Sequence, residues 1–216
     1  MAENETVWTI IVAAGSGLRF GSAKQFEAIG GKPIVQWAID EASKHSAGVI
    51  VVLPKGMADG PGQVEGGATR SESVRKGLNA VPEEATIICV HDAARPFASP
   101  TVFHRVISAV VDGADAAVPG IPVVDTIKQV NESNVVVSTP RRETLRAVQT
   151  PQAFRASSLR KAHASGGEST DDATLIEKIG GEVMVVDGEI VNRKITTRED
   201  LEWAVAHADH LLHGEV

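Results

Sequence analysis

A glycine-rich loop with two cations follows the first apolar run of the chain. Residues 7–14 (VWTIIVAA) lead directly into residues 15–21 (GSGLRFG), and Lys24 comes shortly after the loop. Glycines let the backbone approach a phosphate group closely, with N–H groups as donors. Arg19 and Lys24 suit a triphosphate whose α-phosphorus is attacked, because they would stabilise the pentacoordinate centre and the departing pyrophosphate. A plain tight turn with two solvated cations is the alternative.

The spacing within this loop argues against two commoner phosphate-binding motifs. Its glycines follow the pattern G-x-G-x-x-x-G rather than the dinucleotide fingerprint G-x-G-x-x-G, and the second apolar run ends in Leu53-Pro54 without an acid for a ribose hydroxyl. A nicotinamide-dependent dehydrogenase is therefore disfavoured. No G-K-[ST] follows the loop, so a Walker A motif is excluded as well.

Three further segments carry candidate ligand groups. Residues 66–74 (GGATRSESV) place small and hydroxyl side chains before a helix, where a nucleobase or ribose can approach. Asp92 and Arg95 follow a buried apolar run, so the first can hold Mg²⁺ or a ribose hydroxyl and the second a phosphate. Lys194 follows the last apolar run and can reach an anion. Taken singly, each also suits an ordinary role: a capped helix start, a turn-capping Asp or a solvated Lys.

The elements that must position these groups alternate between strands and helices. Apolar runs predict strands near 7–14, 48–53, 86–90, 114–118 and 182–186. Helical spacing and capping residues predict helices near 33–44, 69–80, 99–111, 156–164 and 171–179, and one from 197 onward. This alternation predicts an α/β fold with a mostly parallel, doubly wound sheet.

One stretch breaks the alternation. Residues 121–150 contain strand-like pieces at 126–130, 134–137 and 144–149 and no convincing helix, and a turn signal at 131–134 predicts a hairpin. We therefore expect one domain over residues 1–216 with an arm inserted at about 122–149. The arm is too polar to fold alone.

Composition limits the function classes. The 216 residues carry a formal charge of −7 and 4% aromatics, which argues against nucleic-acid partners. The single Cys89 excludes an internal disulfide framework and reads as a small core residue. The polar, acidic start and the lack of a long apolar run predict no membrane partner and a cytoplasmic location. Every histidine except His91 is expected at a solvated or edge position of a helix.

The ordered set of motifs resembles the family of 2-C-methyl-D-erythritol 4-phosphate cytidylyltransferases. The matching pieces are AAGSGLRFGSAKQF, GGATRSESVRKGL, VHDAARPF, VVDTIK, the arginine before Leu145 with QTPQAF, STDDATLIE and NRKITTREDL. They recur in order from residue 13 to residue 201. The resemblance implies a Rossmann-like nucleotidyltransferase fold, with a protruding β-arm that pairs two subunits into a homodimer.

The resemblance implies that the chain transfers CMP from CTP to methylerythritol phosphate with Mg²⁺, releasing pyrophosphate, in isoprenoid precursor synthesis. A phosphate monoester is already a dianion near neutral pH, so positioning and charge neutralisation dominate catalysis. A ribitol 5-phosphate cytidylyltransferase is the nearest alternative, although Ala13-Ala14 and Ala94 favour the isoprenoid enzyme. A non-catalytic nucleotide-binding module is a further alternative, which the cations at both ends of the triphosphate disfavour.

By motif position, the resemblance assigns roles to individual residues. The catalytic residues would be Arg19, Lys24, Arg142 and Lys194. CTP would be held by Ala13, Ala14, Gly15, Gly17, Arg19, Lys24, Gly67, Ala68, Ser73, Asp92 and Ala93. The second substrate would be bound by Asp92, Arg95, Thr126, Arg142, Thr150 and Lys194, and Asp92 would be the metal ligand. Thr126 and Arg142 lie on the arm and would serve the site of the partner subunit.

Overall fold

The computed structural model describes residues 5–15, 24–164 and 166–213. Among these residues the strands are β1 Val7–Val12, β2 Ala28–Ile29, β3 Lys32–Pro33, β4 Gly48–Leu53, β5 Gln63–Glu65, β6 Ile87–Asp92, β7 Ala116–Pro122, β8 Gln129–Val130, β9 Val136–Ser138, β10 Arg146–Val148, β11 Gln152–Arg155 and β12 Val183–Asp187. The helices are α1 Ile34–Ser43, α2 Arg70–Ala80, α3 Pro100–Val111, α4 Ala156–Ala164, α5 Ala173–Lys178 and α6 Arg198–His213. All the predicted helices and strands are present, most within two or three residues of their expected bounds.

The central sheet is mostly parallel, as the alternation of strands and helices predicts. In the described part of the chain it has eight strands, with β5, β4, β1, β6, β11 and β7 side by side and β12 on the far side of β7. Strand β10 runs antiparallel to β7, β11 runs antiparallel to both β6 and β7, and the other pairings are parallel. Parallel pairing brings the carboxyl ends of β1 and β6 to one edge, where ligands bind in such sheets.

Helices cover both faces of the sheet. The alternation of side chains along β1 sends Ile10 to the face covered by α2, α4 and α5, and Ile11 to the face covered by α1 and α3. Gly77 allows the close approach of α2, because a Cβ there would clash with Ile10 and Val52. Burial on both faces explains why the strand sequences are nearly continuous apolar runs.

The sequence prediction places no strand at β11. β11 lies between β6 and β7 and pairs antiparallel with both. Its sequence, QAFR, is only four residues long and leads directly into α4, so it shows neither a long apolar run nor a clear alternation. Its position is set by tertiary pairing rather than by a local signal.

Helices α2 and α3 have capped starts. The Thr69 hydroxyl accepts from the Glu72 N–H at the start of α2, and the Ser99 hydroxyl accepts from the Val102 N–H at the start of α3. Pro100 occupies the first turn of α3, where its missing N–H costs nothing. Both starts lie where the sequence predicts them.

The predicted arm is an exposed excursion from the sheet. Residues 124–139 are all exposed, and β8 pairs with β9 as an antiparallel hairpin. The Asn131 carboxamide oxygen accepts from the N–H groups of Ser133 and Val135, and Asn134 adopts a positive φ of 59°. The predicted turn is therefore confirmed. The chain rejoins the main sheet when β10 pairs with β7.

The C-terminal helix packs on the carboxyl-edge side of α1. Phe97, Ile195, Ala204 and Ala208 form a small apolar cluster with the start of α1. None of the helices in the described ranges combines the length and the apolar character that crossing a membrane requires.

Candidate active site

A cleft of about 600 Å³ lies at the carboxyl edge of β1 and β6. It is bounded by the end of β1, the start of the first loop, the segment before α2, the turn after β6 and the segment before α6. Its lining residues are Val12, Ala13, Ala14, Gly15, Lys24, Gln25, Gly67, Ala68, Thr69, Arg70, Ser73, Asp92, Ala93, Ala94, Lys194 and Thr196. The structure thus brings four of the predicted motifs to one opening.

The segment 194–196 ties the two described lysines of the cleft together. The Ile195 N–H donates to the Ala94 carbonyl, and the Lys24 ammonium donates to the Ile195 carbonyl at 2.7 Å. The Ile195 side chain is fully buried in an apolar cluster, and this packing fixes the segment in place. Lys24 and Lys194 come from opposite ends of the chain, yet both line one cavity.

The start of α6 holds the same segment from the other side. The Asp200 carboxylate accepts from the Thr196 hydroxyl and from the N–H groups of Thr196 and Thr197. Burial alone would raise the pKa of Asp200, but these hydrogen bonds lower it to about 2. Thr196 therefore reaches the cleft in a fixed orientation.

Asp92 is the charged centre of the cleft floor. Its Oδ2 accepts from the Lys194 ammonium at 2.6 Å, and its Oδ1 lies 3.7 Å from the Arg70 Nε. Burial alone would raise the pKa of Asp92, but Lys194 and Arg70 lower it to about 2. Asp92 is consequently an anion at neutral pH, with a cation on each oxygen.

The segment before α2 forms a second wall of the cleft. The Gly67 N–H donates to the Ser73 hydroxyl, which itself donates to the Thr69 carbonyl. The Ala68 N–H donates to the Glu72 carboxylate. Side chains of α2 therefore already hold these two amides. Ser73 is buried and fixes the loop, and it also lines the cleft.

Close backbone approach is built into this wall. A Cβ on Gly66 would clash with the Ala14 side chain, so the wall packs directly against the end of β1. The N–H groups of Ala13 and Ala93 donate to the carbonyls of Val52 and Val12. Neither amide is therefore available to a phosphate.

His91 organises the turn after β6 as a neutral imidazole. Burial lowers its pKa to about 4. The Asp92 N–H donates to the Thr150 hydroxyl, whose proton then goes to His91 Nδ1. This leaves Nε2 protonated to donate to the Arg95 carbonyl at 3.1 Å. The chain of donors fixes both the tautomer and the path of the turn.

Two predicted substrate residues lie behind the cleft rather than on its lining. Thr150 is buried and engaged with His91 and Asp92. The Arg95 guanidinium donates to the carbonyls of Asn192 and Val148, and burial lowers its pKa. In this structure both residues connect the turn after β6 to the returning end of the arm.

The remaining predicted residues divide into two groups. Thr126 and Arg142 lie on the exposed arm, and Arg142 donates to the Val124 carbonyl at 2.9 Å. Neither lines the cleft of its own chain. Gly17 and Arg19 lie outside the described residues.

Several lining residues have no predicted role, and Arg70 is the most consequential. It is the first residue of α2 and lies between the carboxylates of Asp92 and Asp172. An arginine at a helix start, within a segment already assigned to the site, is a signal that would have found it. Gln25, Thr69 and Thr196 also line the cleft.

The expectation of a solvated or edge position is wrong for His163. It lies on α4, is buried, and has its Nε2 at 2.9 Å from an Asp172 oxygen. Asp172 is fully buried and also accepts from Arg70 at 2.8 Å. The polar face of a short helix therefore supplies a core hydrogen bond, which helical spacing alone does not reveal.

Among the described lining residues of the cleft, Asp92 is the only carboxylate. No group of three or more His, Cys, Asp or Glu side chains suited to a metal occurs in the described ranges. A single anionic carboxylate at the cleft floor matches the way Mg²⁺ is usually held with nucleotides, by one or two carboxylates and by phosphate oxygens.

Comparisons with known proteins give concordant results. A "Bifunctional enzyme IspD/IspF" of Nitratidesulfovibrio vulgaris is 42% identical over 90% of this chain and 56% of its own length. The 2-C-methyl-D-erythritol 4-phosphate cytidylyltransferase of Nocardia farcinica is 42% identical over 94% of both chains. The crystal structure of the protein of that name from Thermus thermophilus has a TM-score of 0.79 at 38% identity, covering 94% of this chain and 98% of that one.

Fold and cleft together define a nucleotidyltransferase-like α/β protein. Residues 7–210 match the sequence model described as "IspD: 2-C-methyl-D-erythritol 4-phosphate cytidylyltransferase". The chain belongs to this family. It spans a little over half the length of the bifunctional relatives it matches.

Proposed function

We propose that this chain transfers the cytidylyl group of CTP to 2-C-methyl-D-erythritol 4-phosphate, a step of isoprenoid precursor synthesis. The observation that carries the proposal is the cleft, where glycine segments meet two lysines and one carboxylate in a member of this family. A substrate phosphate oxygen attacks the α-phosphorus in line. The bond to the bridging oxygen breaks, and pyrophosphate leaves with the electron pair.

The first part of the proposal concerns CTP. The loop that begins at Gly15 takes the triphosphate, with Lys24 beside it and Arg19 and Gly17 in the same role. The wall at Gly67 and Ala68 takes the cytosine and ribose. Its backbone groups can distinguish the exocyclic amine of cytosine from the uracil carbonyl. The remaining proposed contacts are Ala13, Ala14, Ser73, Asp92 and Ala93.

The second part concerns the attacking phosphate. Lys194 exchanges its bond to Asp92 for the incoming dianion and aims it at the α-phosphorus. The 2.6 Å contact holds the ammonium at the cleft floor until then. Arg95 and Thr150 would hold the second substrate after local rearrangement, since both are engaged with protein groups. Lys24 and Lys194, with Arg19, neutralise the charge of the transition state.

The arm completes the proposed site in a homodimer. Thr126 and Arg142 are exposed and do not line the cleft of their own chain. We propose that they reach the cleft of a second copy and bind the methylerythritol phosphate there. The Arg142 guanidinium would donate two parallel hydrogen bonds to the phosphate.

The residues also fit a divalent cation. Asp92 is anionic and is the carboxylate of the cleft floor, so it would hold Mg²⁺ together with the nucleotide phosphates. Bound there, the ion would neutralise phosphate charge. Lys194 and Arg70 already occupy the Asp92 oxygens, so the contact requires one of them to yield.

The direct test is a pyrophosphate-release assay with purified protein. CTP and methylerythritol phosphate with Mg²⁺ should give turnover, and replacing CTP by UTP should lower it strongly. Ribitol 5-phosphate is the matched alternative acceptor. Preference for ribitol 5-phosphate would contradict the proposed substrate, and tight CTP binding without turnover would support a non-catalytic module. The cytoplasmic location stays a prediction from the sequence.

A further inference from the structure

The ion pairs of the cleft floor continue into the protein core through Arg70. Arg70 has its Nε 3.7 Å from Asp92 Oδ1, and its Nη1 donates to Asp172 Oδ2 at 2.8 Å. The second oxygen of Asp172 accepts from His163. One line of polar contacts therefore runs from Lys194 at the cleft to a histidine of α4.

The inner end of this line is rigid. The side chains of Asp172 and His163 are 1% and 2% exposed. Burying a carboxylate is unfavourable unless it is paired and hydrogen-bonded. Burial acts to lower the pKa of Arg70, but Asp172 and Asp92 raise it, so Arg70 stays charged beside them. Removing either partner would leave a buried charge without compensation, so Arg70 cannot easily leave Asp172.

The loop before α5 holds α2 by further contacts. The Ser169 N–H donates to the Ser71 hydroxyl, and the Arg75 guanidinium donates to the Gly167 carbonyl. Arg75 also pairs with Glu168 at 3.3 Å. Arg70 and Arg75 thus bind the same stretch of chain from one helix, but only Arg70 faces Asp92.

The two cations on Asp92 differ in their freedom. Lys194 contacts Oδ2 through a half-exposed, flexible side chain, whereas Arg70 contacts Oδ1 while anchored to Asp172. When an anion draws Lys194 away, Asp92 loses one cation and keeps the other. The carboxylate then stays anionic and oriented although its shorter ion pair has opened.

We propose that Arg70 is a positioning residue that fixes the Asp92 carboxylate when Lys194 engages substrate, with Asp172 and His163 as its anchor. This inference rests on the proposed function, because it concerns what Asp92 does there. It requires no contact between Arg70 and the reacting atoms. A guanidinium suits the role, because it presents donors in a fixed fork to two carboxylates at once, which an ammonium cannot do.

The first test compares Arg70→Met and Arg70→Lys with the control Arg75→Met. Arg70→Met should lower kcat/KM for the acceptor phosphate by about tenfold to a hundredfold, the usual cost of losing a group that orients a ligand residue. Arg70→Lys keeps the positive charge but loses the forked guanidinium donors, so it should retain a kcat/KM between those of Arg70→Met and the unsubstituted protein. Arg75→Met should stay within about twofold of the unsubstituted protein. Thermal unfolding of each variant separates loss of fold from loss of function.

A double-mutant cycle then separates positioning from other roles. The affinity for CTP with Mg²⁺ is measured by calorimetry, which needs no turnover, in the unsubstituted protein, Arg70→Met, Asp92→Asn and the double variant. If Arg70 acts through Asp92, Arg70→Met as a single substitution should weaken CTP binding about tenfold. The same substitution in the Asp92→Asn variant should cause almost no further loss of affinity. Equal losses in both backgrounds would overturn the proposal, because a direct phosphate contact or a purely structural effect would persist.

The two proposals fail in different ways. Absence of turnover by the unsubstituted protein would contradict the proposed function. Normal turnover with Arg70→Met indistinguishable from Arg75→Met would contradict only the role of Arg70.

Discussion

The carboxyl edge of the sheet and the arm differ in how the chain fixes its polar groups. At the edge, Asp92 and Lys24 are held by partners from distant parts of the sequence, such as Lys194 and Ile195. On the arm, the hydrogen bonds of Asn131 and Arg142 are made within the arm itself. The fold therefore fixes the polar groups of the edge through long-range contacts, whereas the arm fixes its own through local ones.

The core of the sheet that supports the edge and the exposed arm should differ most in stability. Phe154→Ala removes a fully buried ring from the core beside α4 and should cost about 3–5 kcal/mol of unfolding free energy. Val136→Ala on the arm, where the side chain is 51% exposed, should change it by less than about 0.5 kcal/mol. Urea unfolding measures both. A large, concentration-dependent loss for Val136→Ala would instead show that the arm packs against a second copy.

Lys24→Ala tests the edge itself. Lys24 lines the cleft and is held at 2.7 Å from the Ile195 carbonyl, so its charge has a defined position. Its loss should lower kcat by about a hundredfold or more, as is typical when a preorganised charge is removed from a transition state. Lys44→Ala is the matched control, since Lys44 is an exposed lysine at the end of α1 that forms an ion pair with Glu41. An unchanged kcat would remove Lys24 from the mechanism.

The sequence predicts this edge well because its signals are local. Apolar runs mark β1 and β6, and the residues that follow them necessarily meet at one edge of a parallel sheet. The hydroxyls of Thr69 and Ser99 mark helix starts in the same way. The arm is also predictable, since its turn at 131–134 carries the residues that such turns require.

What the sequence does not reveal is set by contacts between distant residues. Arg70 meets Asp172 across 102 positions, and the same carboxylate accepts the hydrogen bond of the buried His163. The strand β11 is likewise defined by its neighbours β6 and β7. Propensity and periodicity are properties of one segment, so they cannot identify partners that tertiary packing supplies.

The arm and the edge also differ in their titratable groups. Residues 122–149 contain no histidine, whereas His91 is buried at the edge. Measuring the free energy of unfolding over a pH series tests this difference. Burial lowers the pKa of His91 from 6.5 to about 4. Below pH 6.5 the His91 imidazole is therefore protonated in the unfolded chain but stays neutral in the folded protein. This should cost about 2 kcal/mol of stability between pH 7 and pH 5. The His91→Gln variant should be less stable at pH 7, but its free energy of unfolding should change less between pH 7 and pH 5. An equal slope in both proteins would contradict the neutral, buried imidazole.

The smallest effect concerns the arm and decides whether it serves a second copy. Arg142→Ala should lower kcat/KM for methylerythritol phosphate by at least about tenfold, since it removes the proposed charged hydrogen bond to the substrate. Mixed after dissociation with Lys24→Ala, it should regain roughly a quarter of full activity. Half of randomly paired dimers are mixed, and each mixed dimer has one site with both side chains intact. No recovery, in mixtures shown to exchange subunits, would mean that Arg142 acts within its own chain.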